Sequence, residues 1–421
     1  MKKKVLVFAV ILLFVTLAGL VAAQDLTPNE QLGKSIFFDV NLSINQNQSC
    51  AACHAPEVGW TGPDSEINAG GAVYEGSILG QFGDRKPPSA AYATLSPIFH
   101  QDKKGLFVGG NFWDGRATGE KLGNPAADQA QGPFLNPVEQ ALPDSACVVY
   151  RVCNPVVPGD YRVSFEEVWG AGACAITWPA DVEAVCATEG ATVALSEADR
   201  TKSDMAYDGI ALSIAAYEDS PEVNAFTSKF DYSKNGMAKL NKEEQHGFAL
   251  FKGKAKCRLC HLSMDRTPLF TDFTFDNLGI PQNPENPVYD VDPEFVDLGL
   301  GGFLMKSGYD EEVYEAEWGK HKVPTLRNVD LRPYPEFVKA YGHNGYFKSL
   351  EGIVNFYNTR DVKYTCPGPY TEAEALAADC WPPPEVSVNV NTDELGDLGL
   401  TPEEEAAIVA FLKALSDGYQ P

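Results

Sequence analysis

Two five-residue stretches, Cys50-Ala-Ala-Cys53-His54 and Cys257-Arg-Leu-Cys260-His261, limit what this chain can fold into more than anything else in it. Two cysteines three positions apart can close thioethers on the two vinyl groups of one porphyrin, and the histidine that follows is placed to ligate its iron. One copy alone would compete with a thioredoxin-like pair or half of a zinc site. Zinc needs four ligands close together, whereas the two copies stand 207 residues apart and neither has a second Cys/His pair beside it. Both therefore read as attachment sites for c-type haem, and the rest of the chain as housing for two irons.

The N-terminus fits export. Lys2, Lys3 and Lys4 precede an apolar run from Val5 to Val21, and Val21-Ala22-Ala23 offers small residues for cleavage before Gln24. The expectation is a leader over 1–23 and a periplasmic mature protein, not an integral membrane protein after processing. Of ten cysteines, four belong to the haem motifs; Cys147, Cys153, Cys174, Cys186, Cys366 and Cys380 remain. An even number in an oxidising compartment reads as three disulfides. Cys366 and Cys380 form the local pair, while the other four allow three connectivities that sequence does not separate. The formal charge is −25, and losing the three leader lysines takes it to −28. Nucleic acid and anionic membrane surfaces are poor partners for such a chain.

Helix signals place the motifs. Thr27-Pro28-Asn29-Glu30 has capping-box spacing with proline at the first helical position, ahead of Leu32, Ile36 and Phe37. Asn241 and Glu244 repeat the arrangement before Phe248, Leu250 and Phe251, so each haem motif follows a helix. The region Thr61 to Gly110, rich in Gly, Pro and Ser, is expected to be loops, and Met205 to Glu218 an amphipathic helix. A stretch from about 144 to 195, with four cysteines, looks like an insertion stapled by disulfides. Ser349 to Tyr357 is helical, and Thr401-Pro402-Glu403-Glu404 caps a last helix carrying Ile408, Phe411, Leu412 and Leu415. The fold expected is mainly α: two cytochrome c-like haem domains with long loops, the first over 24–225 with the insertion at about 144–195, the second over 226–421.

The two motifs at this separation, with FWDGRA (112–117), QGPFLNPVE (131–139), KVPTLRNV (322–329) and GHNGYFKSLEGIVNFYNTR (342–360), resemble the bacterial di-haem cytochrome c peroxidases of the MauG-like branch. The resemblance covers nearly all of the chain outside the leader, the insertion and the Cys366–Cys380 loop. It implies a peroxidase with an open first haem and an electron-transfer second haem.

On the first haem, many relatives have a distal histidine about sixteen residues past the motif, where this chain has Ala69-Gly70-Gly71. His54 is then the protein ligand of the first iron, and His100 the only other histidine of that half. The resemblance puts Glu139 at the family's distal carboxylate, with Gln129 and Pro133 at the matching offsets. A carboxyl group desolvated in a haem pocket has a raised pKa and can carry the peroxide proton. For the second iron His261 is the proximal ligand. Its other ligand in ordinary relatives is a Met fourteen residues after the histidine of the His-Asn/Asp-Gly motif; here that offset from His343 is Tyr357, as in MauG-like enzymes, with Met305 the competitor. A phenolate favours ferric iron where a thioether favours ferrous. Trp113 matches the tryptophan between the haems that can relay an electron, and His343 reads as a pocket-side hydrogen-bonding residue.

Calcium, which relatives hold between the domains, is doubtful here. Lys86 fills the position of an Asn ligand, and Phe337-Val338-Lys339-Ala340 replaces a Thr-x-Pro. A Lys86 ammonium can stand in for the ion. Ala255, between Lys254 and Lys256, occupies the place of a surface tryptophan that the methylamine dehydrogenase-maturing enzymes of the branch carry, so that protein substrate is not supported. Three functions follow. The first is a peroxidase that reduces hydrogen peroxide with electrons from a small cytochrome c or cupredoxin; the second is an oxidase that modifies aromatic residues of a partner protein. The third, an electron-transfer cytochrome, requires two six-coordinate haems, against which Glu139 and the missing ligand argue.

Overall fold

Thr27 and Glu30 start the first helix by exchanging hydrogen bonds: Thr27 Oγ1 accepts the Glu30 amide at 3.3 Å and the Glu30 carboxylate accepts the Thr27 amide at 2.6 Å. In this computed structural model, which describes residues 25–154 and 161–421, the expected leader and its cleavage point lie outside the described residues. Helices α1 (Pro28–Phe37), α2 (Pro125–Leu135), α3 (Ser145–Cys153) and α4 (Glu197–Glu218) build the first half. Helices α5 (Lys242–Lys252), α6 (Leu350–Thr359) and α7 (Pro402–Lys413) build the second. Strand among the described residues is limited to two-residue ladders, of which β1 (Phe275–Asp276) pairs antiparallel with β2 (His321–Lys322).

The two halves use one packing device. In α1 a Cβ on Gly33 would lie 1.8 Å from the Ser213 carbonyl oxygen of α4; in α5 a Cβ on Gly247 would lie 1.8 Å from the Ala407 carbonyl oxygen of α7. Glycine at each crossing lets two helix backbones touch, which no other residue permits. Each pair then buries its own apolar cluster. The first gathers Leu32, Ile36, Phe37, Ile210, Ile214 and Tyr217; the second stacks Phe230, Phe248, Phe251, Phe270 and Phe411. Helix α4 begins two turns earlier than its apolar period suggests, because Ser196 Oγ accepts the Asp199 amide at 3.1 Å and extends it through a polar stretch.

The cysteine-rich stretch is woven into the first core. Cys147 pairs with Cys186 and Cys153 with Cys174, a nested connectivity, and Cys366 pairs with Cys380. Within it, Val148, Val149, Val152 and Phe165 are fully buried. Arg151, 1% exposed, donates to the carbonyls of Asn41 and Ser43, tying α3 to the loop ahead of the first motif. The expected loop region from Thr61 to Gly110 is mostly that, with one helical turn at Ser65–Ala69 capped by Asp64 and a short ladder of His100–Gln101 with Phe107–Val108.

Candidate active site

Each Cys-x-x-Cys-His stretch closes as a single 3-10 turn, Cys50–Ala52 and Cys257–Leu259, and the following histidine is pinned by its backbone. His54 N donates to the Cys50 carbonyl at 3.0 Å and His261 N to the Cys257 carbonyl at 2.9 Å. Their rings are oriented alike: Nδ1 lies 3.2 Å from the Trp60 carbonyl in His54 and 2.7 Å from the Phe270 carbonyl in His261. A carbonyl can only accept, so each Nδ1 carries the proton and each Nε2 keeps a lone pair, the tautomer a metal-ligating histidine needs. Burial brings His54 down to about 4 and also lowers His261, so both rings are neutral at ordinary pH. The four motif cysteines take no part in the three disulfides and line the cavity described next.

Both motifs open on one cavity of about 440 Å³, walled by apolar side chains such as Phe37 and Ile214 at the first motif and Ile353 and Val354 at the second. Paired cysteines outside the disulfides, a neutral imidazole with its lone pair exposed and apolar walls fit a covalently held haem at each motif. Zinc would lack its second pair of ligands.

On the first motif's side the cavity is lined by Gln129 and Pro133 of α2 and by Glu139 in the turn after it. Burial raises the Glu139 carboxyl, opposed by the nearby Arg116 charge and a hydrogen bond from Asn136. His100 is exposed, its Nδ1 2.7 Å from the Ile98 carbonyl, and does not reach the cavity. Sequence reasoning missed Glu218. This last residue of α4 lines the same cavity at 5% exposure, and burial drives it up to about 8. The available signal was a carboxylate on the stripe of Ile210 and Ile214, one turn on.

On the second motif's side Tyr357 projects from α6 into the cavity. Its hydroxyl has no hydrogen-bond partner among the described residues, and burial, reinforced by Cys257 and Cys260, holds its phenol well above the usual range. Met305 and Met264 are 41% and 78% exposed and lie outside the cavity.

Trp113 stands where the halves meet. Its indole Nε1 donates to the Lys86 carbonyl at 2.8 Å, while its own carbonyl accepts the amide of Lys322 on β2. Lys86 Nζ, 6.0 Å from the Trp113 ring, donates to Thr61 Oγ1 at 3.1 Å and the Pro87 carbonyl at 2.9 Å. A second buried lysine, missed in the sequence and pushed well below its usual pKa by burial, is better placed to hold the halves together. Lys339 Nζ donates to the carbonyls of Val58 at 2.7 Å, Asn328 at 3.0 Å and Leu331 at 2.9 Å. His343 is buried against the same cavity.

Comparison with known proteins places this geometry. A family model described as di-haem cytochrome c peroxidase matches residues 27–239. The methylamine utilization protein MauG of Paracoccus denitrificans is 35% identical over 397 residues, spanning 93% of this chain and 89% of that one. The cytochrome-c peroxidase IdrP1 of Denitromonas iodatirespirans is 28% identical over 399 residues, spanning 91% and 80%. The crystal structure of the diheme peroxidase BthA from Burkholderia thailandensis superposes with a TM-score of 0.71 at 26% identity, covering 94% of this chain and 90% of that one.

Proposed function

The chain belongs to the di-haem cytochrome c peroxidase family, and from that premise we propose that it is a periplasmic enzyme, cleaved near Ala23, that reduces hydrogen peroxide at an open first haem with electrons relayed through a His/Tyr-held second haem. Cys50, Cys53 and His54 would hold the first haem; Cys257, Cys260, His261 and Tyr357 would hold the second. Bound iron supplies the electrons that split the peroxide O–O bond. The observation that carries the reading is the pairing inside one cavity of Glu139 near the first motif with an unpartnered Tyr357 hydroxyl at the second.

The chain's own groups divide the remaining work. Glu139, desolvated but beside Arg116, accepts the proton from one peroxide oxygen and returns it to the other, which leaves as water. The Gln129 amide hydrogen-bonds the incoming peroxide and orients it. Trp113, in contact with both halves through Lys86 and Lys322, offers an indole for electron transfer between them. Tyr357 would ligate the second iron as a phenolate, whose hard anionic oxygen would favour the ferric state. Calcium is not required, because the amino groups of Lys86 and Lys339 already hydrogen-bond the oxygens between the halves. A small cytochrome c or cupredoxin is the donor. No helix among the described residues is long and apolar enough to cross a membrane.

Addition of one equivalent of peroxide to the diferric protein, followed by stopped-flow absorption without reductant, tests this. Immediate peroxide consumption, slowed in Glu139→Gln and spectrally altered in Tyr357→Met, is expected. A protein inert until one haem is pre-reduced has a hidden sixth ligand, and the reading fails. The 35% identity to a MauG, together with Tyr357, favours a second reading, an oxidase that uses peroxide to modify aromatic residues of a partner protein. Slow return of the peroxide-treated protein to its resting spectrum without donor, quickened by an aromatic-bearing partner rather than by reduced cytochrome c, selects that reading.

A further inference from the structure

Asp297, His321, His343 and Glu385 converge on the cavity wall with side-chain exposures of 4%, 10%, 6% and 3%. They come from four separate places: the turn before the helix Gly299–Lys306, strand β2, the turn after Tyr341, and the loop beyond Cys380. His321 Nε2 lies 3.3 Å from Asp297 Oδ2, and His343 Nε2 lies 4.0 Å from that oxygen and 3.7 Å from Glu385 Oε2. Neither Nε2 has a hydrogen-bond partner among the described residues, although both are buried.

His321 Nδ1 faces the Gly319 carbonyl at 3.1 Å and so carries the ring proton, which leaves Nε2 as a lone pair directed at a carboxylate oxygen. Two acceptors 3.3 Å apart repel unless a cation sits between them. The nearest fixed cation, Arg85, is already engaged: it grips both Asp297 oxygens at 2.6 Å and Asp114 at 2.7 Å. Two ligands on one tetrahedral zinc, each roughly 2.0–2.2 Å from the metal, sit about 3.3 Å apart. The Asp297–His321 separation already matches, whereas His343 has to draw closer to Asp297, and Glu385, which approaches His343, has to swing in to complete the set.

We propose that Asp297, His321, His343 and Glu385 form a binding site for a divalent first-row metal ion of the zinc class, separate from the haem irons. Two imidazoles and two carboxylates suit such an ion in charge and donor type. The Gly319 carbonyl behind His321 and Arg85 behind Asp297 are the outer contacts that orient metal ligands. The imidazoles lie stacked, centroids 3.5 Å apart at 7°, and splay on binding so that their lone pairs converge. Because the ion ties β2 to the loop beyond Cys380, it braces the wall that both haems share.

Elemental analysis and calorimetric zinc titration of chelator-dialysed holoprotein test the proposal. Neither readout depends on peroxide turnover, so failure here leaves the peroxidase reading intact. One zinc per chain beyond the two irons is expected, with affinity lowered about 100-fold or more in His321→Gln and in His343→Gln while haem content and helical circular dichroism persist. No zinc uptake at concentrations on the order of 100 µM, far above the usual range for such ligand sets, overturns it and leaves both imidazoles as donors to a haem carboxylate. Uptake of equal affinity in both variants also overturns it, since the ion then sits elsewhere.

Discussion

Lys339 Nζ donates to the Val58 carbonyl across 2.7 Å, although 281 residues separate them. Val58 follows the first haem motif by four residues, and Lys339 precedes the turn that carries His343. One amino group therefore fastens the loop after the first Cys-x-x-Cys-His stretch to the second half of the chain. Lys322, reaching Ser96 Oγ and Asn111 Oδ1, and Lys348, reaching the carbonyls of Gly70 and Gly345, make similar crossings. The seam between the halves is stitched by lysines from the second half set on polar atoms of the first.

Removing the Lys339 amino group should loosen that seam. Lys339→Met leaves the carbonyls of Val58 and Leu331 without their donor and that of Asn328 with the Leu331 amide alone, at a cost of about 2–3 kcal/mol in total. Urea unfolding measures the loss, and added calcium does not restore it. Full recovery with calcium would show that the ion site survives in this chain.

Lys348 gives the seam a pH dependence. Burial lowers its ammonium from 10.5 to about 8, against the opposing charges of Glu285 and Glu372. Between those pH values the unfolded chain binds the proton and the folded chain does not, so the Lys348 contribution to stability rises with pH across that window. Below about 8 both forms are protonated and the cost of the buried charge is carried in full. The stability difference between wild type and Lys348→Met should move toward wild type from pH 8 to pH 10; a difference that stays flat contradicts the assignment.

As the proposed proton carrier, Glu139 should set the acid side of the peroxide reaction. With its pKa raised by burial, the carboxylate able to accept a proton is depleted as pH falls, so the rate constant for peroxide drops on the acid limb. Glu139→Gln should lower that constant about 10³-fold and abolish the limb. A variant that retains the limb would assign it to another group, with Glu218 the first to examine.

The helix crossings tolerate no side chain. Gly247→Ala forces a Cβ into the Ala407 carbonyl, and separating α5 from α7 costs about 3 kcal/mol. Gly33→Ala should do the same between α1 and α4. Thermal denaturation of the two variants should show similar losses, and a neutral result at either crossing would mean that the helices can slide apart without penalty.

Much of this was legible from local signals. Capping boxes at Thr27, Asn241 and Thr401 act within three residues, and each is present where the sequence places it. The Cys366–Cys380 pair closes a short loop and needs no knowledge of the fold. Cys147, Cys153, Cys174 and Cys186 were different: any of three pairings satisfies the spacing, and only the packing of α3 in the first core selects the nested one.

What the sequence determined alone is therefore the chemistry that neighbours along the chain can complete: two turns that present thiols and an imidazole together, the helices before them, and the local disulfide. Tertiary structure decided everything whose partners are distant. Lys339 on Val58, Glu218 beside the first motif and the meeting of Asp297 with His321 and His343 leave no periodic trace, because each depends on which faces of the two halves touch. Apolar burial sets those faces cooperatively across the whole chain, and a residue's own neighbours in sequence carry no record of the outcome.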